Sequence, residues 1–165
     1  MRRSGKGRRY DDSVGADEAV VSWQLGRPAR PFRRVALRCG YGFPAVVEQP
    51  PYGPDGAPFP TTYYLTCPWL AAAIARIEAD GGVERWSERA KTDPGLRASL
   101  ERADAEQRRI RPELDVGIAG TRNPQRLKCL HAHAAFALAR PGYELGERIL
   151  GEVAPLWPPA CCMRD

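Results

Sequence analysis

Residues 61–79 read TTYYLTCPWLAAAIARIEA, and a change of chemistry in the middle of them decides the fold class. Thr61 to Thr66 is β-branched and aromatic, the composition of a strand. Thr66 or Cys67 then stands where a helix cap belongs, Pro68 suits a first helical position, and Trp69 to Ala79 is helical in composition. Gly81-Gly82 ends that helix. Strand chemistry therefore lies before this stretch and helix chemistry after it. Upstream, Arg33–Arg38 and Ala45–Glu48 read as two further strands. Cys39-Gly40-Tyr41-Gly42 joins them as a hairpin turn, because Gly supplies the positive φ that such turns need. Residues 49–60 form a loop around a Pro54-Asp55-Gly56 turn.

Downstream, Val83–Lys91 reads as a short helix, and Asp93-Pro94 starts a longer one that runs to about Arg111. The longer helix carries Leu96, Leu100, Ala103 and Ile110 at helical spacing, with Arg97–Glu101, Arg102–Glu106 and Asp104–Arg108 as pairs on its wet side. Asn123-Pro124 reads as cap and first turn of a helix reaching Ala139, which Pro141-Gly142 stops. Tyr143–Val153 reads as the last helix. The expected fold is α+β: a small antiparallel sheet in the N-terminal half packed against four to five helices. Residues 1–18 read as a flexible tail, 19–153 as a single domain, and 154–165 as an irregular Pro- and Cys-containing tail.

Length and charge narrow the function classes. The chain has 165 residues and a net charge of +5, which invites a nucleic-acid reading. Residues 1–10, however, hold Arg2, Arg3, Lys6, Arg8 and Arg9 and no acid, so they carry the whole excess. The remaining 20 basic residues are balanced by 20 acidic ones. Nucleic-acid contact is thus expected only through the basic tip, and no aromatic residues interleave its charges as a single-strand platform would require. The longest apolar run, Cys67–Ala75, is far short of the roughly 20 residues a membrane span needs. Residues 4–18 lack the apolar core of a signal peptide. Both readings point to a cytoplasmic protein.

The five cysteines, Cys39, Cys67, Cys129, Cys161 and Cys162, are odd in number and widely spaced, unlike a secreted disulfide framework. Three of them fall at structural junctions: Cys39 in the hairpin turn, Cys67 at a helix start, and Cys129 near both histidines, His131 and His133. A Cys₃His zinc site built from Cys39, Cys67, Cys129 and one His is the leading functional expectation, because thiolates suit zinc and a helix N-terminus helps Cys67 to ionise. On a regular helix residues two apart diverge by about 200°, so Cys129 pairs more easily with His133 than with His131, which falls near Leu127, Ala134 and Leu138. The alternatives are cysteines that only pack in the core and a cysteine-dependent enzyme using Cys129 or Cys67 with His131 as base. A third reading is an anion- or phosphate-binding adaptor. The loop Gly117–Pro124 has flexible glycines ahead of a helix start, with Arg122, Arg126 and Lys128 close by. It lacks the spacing of a P-loop.

Four segments together resemble a known family: WQLGRP (23–28), Arg38-Cys39-Gly40, PFPTTYYLTCP (58–68) and KCLHA (128–132). It is the bacterial domain-of-unknown-function family numbered 501, common in high-GC Gram-positive bacteria, and the resemblance covers about residues 20–150. It carries no activity over to this chain. The resemblance implies interest in Cys39, Cys67, Cys129 and His131, and so favours His131 over His133 as the ligand. A distorted turn at Cys129 would reconcile that choice with helical geometry. It also implies a second His a turn or two beyond His131, where this chain has Phe136 and His133 is the available substitute. Family members are often encoded beside an exopolyphosphatase-like protein and a cell-division initiator, which implies a phosphate context by association alone.

Overall fold

The computed structural model describes residues 11–163; the basic tip Arg2, Arg3, Lys6, Arg8 and Arg9 lies outside the described residues. A first helix, α1 (Asp11–Leu25), precedes strands β1 (Arg34–Arg38), β2 (Pro44–Glu48) and β3 (Tyr63–Leu65). Helices α2 (Pro68–Ala79), α3 (Gly82–Thr92), α4 (Pro94–Ile110), α5 (Leu130–Ala139) and α6 (Glu144–Leu150) follow. The fold is α+β, with a three-stranded antiparallel sheet of order β1-β2-β3 in the N-terminal half.

The strand-to-helix switch falls where residues 61–79 place it: β3 ends at Leu65, Cys67 is the N-cap of α2, and Pro68 opens the helix. The hairpin turn is also as read. The Cys39 N–H donates to Phe43 O (2.8 Å) and the Gly42 N–H to Cys39 O (2.9 Å), with Gly42 at φ +86°. β2 is central, so Ala45, Val46 and Val47 are all buried, which explains their unbroken apolar run.

Two elements differ from the sequence reading. The stretch 1–18, expected to be a flexible tail, contains the start of α1. This helix docks on the sheet: Val21 is buried, Gln24 Nε2 donates to Pro44 O at 2.7 Å, and Arg38 makes two bonds to Asp17 of 2.9 and 2.8 Å. Its apolar residues form no clean stripe, and Trp23 is left exposed, so helical periodicity gives no signal here. The second difference is the start of α5, at Leu130 instead of Pro124. The cap chemistry of Asn123 goes into a turn: Asn123 Oδ1 accepts from the Gln125 N–H (3.0 Å) and Thr121 Oγ1 accepts from the Asn123 N–H (3.1 Å). Asx and ST turns use the same side-chain bonds as helix caps, so the two read alike.

Helix α5 forms the centre of the core. Leu130 and the run Ala132–Ala137 are buried, and a helix apolar all round belongs inside. Its alanines let β3 and α6 approach closely, and Phe136 meets Tyr63 and Tyr143 edge-on at 5.7 and 5.8 Å. On α4, Asp104 is buried instead of lying on the wet side with Arg108; its Oδ1 accepts the Ile118 N–H at 2.8 Å. Arg111, also buried, donates to Phe59 O (2.5 Å) and Gln49 O, pinning the 49–60 loop against the end of α4. The irregular C-terminal segment packs on the hairpin: Tyr41 donates its hydroxyl to Pro158 O at 2.6 Å. Among the described residues no helix is long and apolar enough to cross a membrane.

Candidate metal centre

Cys129 has extended backbone, φ −155° and ψ 121°, and serves as the N-cap of α5. The rule that residues two apart diverge applies inside a helix, and Cys129 is not inside one. Its side chain therefore shares a side with His131, on the first turn. The Cys129 sulfur, a His131 ring nitrogen and a carboxylate oxygen of Glu78 lie within 4.8 Å of one another. This is the one such group of three donors among the described residues.

Glu78, near the end of α2, ties the group together. Its Oε1 accepts the Leu130 N–H at 2.7 Å, and its Oε2 lies 3.2 Å from His131 Nδ1. Cys129 makes no side-chain cap bond, so Glu78 caps α5 from a neighbouring helix, and its charge also suits a helix N-terminus. The other ring nitrogen of His131, Nε2, lies 3.0 Å from Ala71 O. A carbonyl oxygen can only accept, so Nε2 carries a proton and Nδ1 is the nitrogen free to change its partner. Without a metal both ring nitrogens face acceptors, and the imidazolium is favoured. The hydrogen bond with Cys129 does most to raise His131. Glu78 and the Ala71 carbonyl add to it against the opposing effect of burial, and the ring is pushed up to about 9.

The other expected site residues lie elsewhere. His133 points into the core, where Nδ1 meets the Tyr143 hydroxyl at 2.8 Å and Nε2 has no partner; burial drives it down to about 3. Cys67 is buried at the start of α2 beside Cys162, and burial pushes its thiol up to about 11, with Cys162 adding to the rise. Cys39 packs half-buried in the hairpin turn against the core. The quartet of Cys39, Cys67, Cys129 and a His is thus not brought together; the structure joins Cys129 to His131, with Glu78 as the third donor and neither Cys39 nor Cys67 in the group. Arg122, Arg126 and Lys128 are exposed on the loop before α5. Arg126 faces Glu84 at 3.6 Å, and the expected helix start at Pro124 lies instead at Leu130.

Glu78 escaped the sequence reading because one acid in a helical run reads as a solvated residue. The available signal was its place in the last turn of α2, where a carboxylate opposes the helix dipole and so calls for a partner. It also stands seven residues from Ala71, two turns along the same face, and both residues grip the one imidazole.

Together these features define a class: a small α+β protein with one sulfur, one nitrogen and one oxygen donor gathered where two helices meet. The model of the DUF501 family, described as protein of unknown function, matches residues 35–115, which supports membership of that family. That match takes in Cys39, Cys67 and Glu78 and ends before Cys129 and His131. Among curated proteins and among solved structures, none matches the chain.

Proposed function

We propose that the protein binds a divalent metal ion of the zinc type through Cys129 Sγ, His131 Nδ1 and Glu78. The observation that carries this reading is the Ala71 carbonyl on His131 Nε2. A backbone acceptor on the far nitrogen is the usual device for presenting the near one to a metal. The Nδ1 to Oε2 separation of 3.2 Å also suits two tetrahedral ligands, since bonds of about 2.0 Å put neighbouring donors roughly 3.3 Å apart. Sulfur, imidazole and carboxylate are all zinc donors, and three protein ligands leave a fourth position open, the pattern of reactive sites in preference to purely structural ones.

Metal content of the untagged protein tests the reading. About one zinc per chain is expected, with loss on Cys129→Ser or Glu78→Gln and a thiolate charge-transfer band when cobalt replaces zinc. Less than about a tenth of an equivalent after reconstitution of folded protein refutes it. The cysteine-nucleophile alternative makes the opposite claim on reactivity: Cys129 in the resting protein would be alkylated fastest, and zinc would not protect it.

A further inference from the structure

A cleft of about 370 Å³ lies between α4 and the turn from α5 to α6, at the opposite end of α5 from Cys129 and His131. That volume is at the small end of the range for ligand sites, about 300–1,000 Å³. Its charged lining is Arg102, Glu106, Arg109 and Arg140, three cations against one anion. All three arginines are exposed, so a ligand reaches them from solvent. Glu106 stands four residues after Arg102 and three before Arg109, the spacings at which either would pair with it along α4. Neither does. Arg140, just past the end of α5, donates to Glu106 Oε1 from Nε at 2.6 Å and from a terminal nitrogen as well. The acid expected to pair with Arg102 is therefore held by another element.

Among the described residues, Arg102 and Arg109 have no carboxylate within ion-pair reach. The next acid along the rim, Glu147, accepts the Gly142 N–H at 2.7 Å. Two uncompensated guanidinium groups thus flank a neutralised Glu106–Arg140 pair. Their backbone positions are seven residues apart, about 10.5 Å along the helix. This pattern selects the shape of a ligand. A compact dianion that reached for both cations would bring its charge against the Glu106 carboxylate between them. A molecule with a carboxylate at each end avoids that, and each guanidinium fork matches a carboxylate through two parallel hydrogen bonds. Ala105 and Pro141, exposed in the lining, offer apolar surface to a methylene chain. We propose that this cleft binds a small linear dicarboxylate, with one carboxylate on Arg102 and the other on Arg109. The proposal goes beyond the metal reading and does not need the ion.

The test titrates the full chain at low salt with adipate, with hexanoate and inorganic phosphate as comparisons, and reads binding by protein-observed NMR. Adipate is expected to give saturable shifts confined to residues 99–109 and 140–143, and its affinity should fall as salt is raised. Hexanoate has the same chain with one carboxylate and should bind at least about fivefold more weakly, the discounted worth of a charge-assisted pair at an exposed site. Arg102→Gln and Arg109→Gln should each weaken adipate by about fivefold or more, and the double variant should abolish saturable binding. Both side chains are exposed and unpaired, so the thermal midpoint should not change. Arg122→Gln removes an exposed cation of another loop and should leave adipate affinity unchanged. Absence of saturable adipate shifts up to about 10 mM overturns the proposal. So does hexanoate or phosphate binding as tightly as adipate, or Arg122→Gln weakening adipate as much as Arg102→Gln. Adipate binding that survives in the double variant overturns it as well.

Discussion

Lowering the pH from 7 to 5 is expected to destabilise the metal-free protein through His133 specifically. Burial holds this imidazole at about 3 in the folded state, against an ordinary value near 6.5 in the unfolded chain. A depressed value means that the folded state resists protonation. The stability His133 contributes is therefore complete above about 6.5 and is lost as pH falls toward 3. Between pH 7 and 5 the unfolded imidazole takes up most of a proton that the folded state refuses, which shifts the equilibrium toward unfolding by about 2 kcal/mol. His131 acts in the other direction. Its raised value of about 9 means that its contribution is complete below about 6.5 and lost as pH rises through 9, so it offsets the His133 loss by less than about 1 kcal/mol over the same interval. Urea unfolding of wild type and His133→Gln, in chelator, at several pH values from 5 to 7 isolates the His133 contribution. Glutamine can still bond the Tyr143 hydroxyl and does not titrate, so the wild-type curve should fall relative to the variant by about 2 kcal/mol. With only two histidines in the chain, ring-proton NMR checks the premise directly: at pH 7 one ring should be charged and the other neutral. A difference curve flat to within about 0.5 kcal/mol, or a His133 ring that titrates near 6.5 in folded protein, refutes the reasoning.

Metal uptake must displace the proton of His131, so apparent affinity is expected to strengthen by about tenfold or more per pH unit between 6.5 and 8.5; a flat profile by competition with a chromogenic chelator contradicts Nδ1 ligation. Glu78→Gln keeps an oxygen for the Leu130 N–H but loses the charge that faces His131, so it should bring that ring back toward 6.5 by NMR and lower zinc affinity by about tenfold or more, at a stability cost of about 1 kcal/mol. Asp104 is raised by burial, so the stability it contributes is complete at low pH and is lost as pH rises through its folded value. Asp104→Asn can keep the bond to the Ile118 N–H and should be at least as stable as wild type at pH 7, with that relative gain disappearing toward pH 4 in thermal unfolding. Arg111→Met leaves the Phe59 and Gln49 carbonyls without their buried donor and should cost about 2–4 kcal/mol in urea unfolding.

The sheet and most helices could be read from sequence because their signals are local. The strand-to-helix switch at Thr66–Pro68 is chemistry along one stretch of chain, and so is the glycine-supported turn after Cys39. The two failures share a physical cause. α1 is held by contacts from outside it, Asp17 to Arg38 and Gln24 to Pro44, which no pattern inside 11–25 announces. The start of α5 was misplaced because Asn123 has the residue type of a cap and is used in a turn. The true N-terminal N–H at Leu130 is satisfied by Glu78, 52 positions away.

That displaced cap also explains why the candidate site was only half legible. Cys129 and His131 stood out as rare residue types two positions apart, but whether they converge depends on where α5 begins. Had the helix run from Pro124, the two side chains would diverge and His133 would be the partner. With Leu130 as the first helical residue, His131 turns toward α2, where Ala71 and Glu78 receive its two nitrogens, and His133 turns into the core. One carboxylate therefore does two things: its Oε1 fixes the start of the helix, and the helix start decides which histidine its Oε2 meets. A cap supplied from α2 couples the helix boundary to the donor set, so a change at Glu78 should disturb both together. A cap and a ligand that were separate residues would let one be lost without the other.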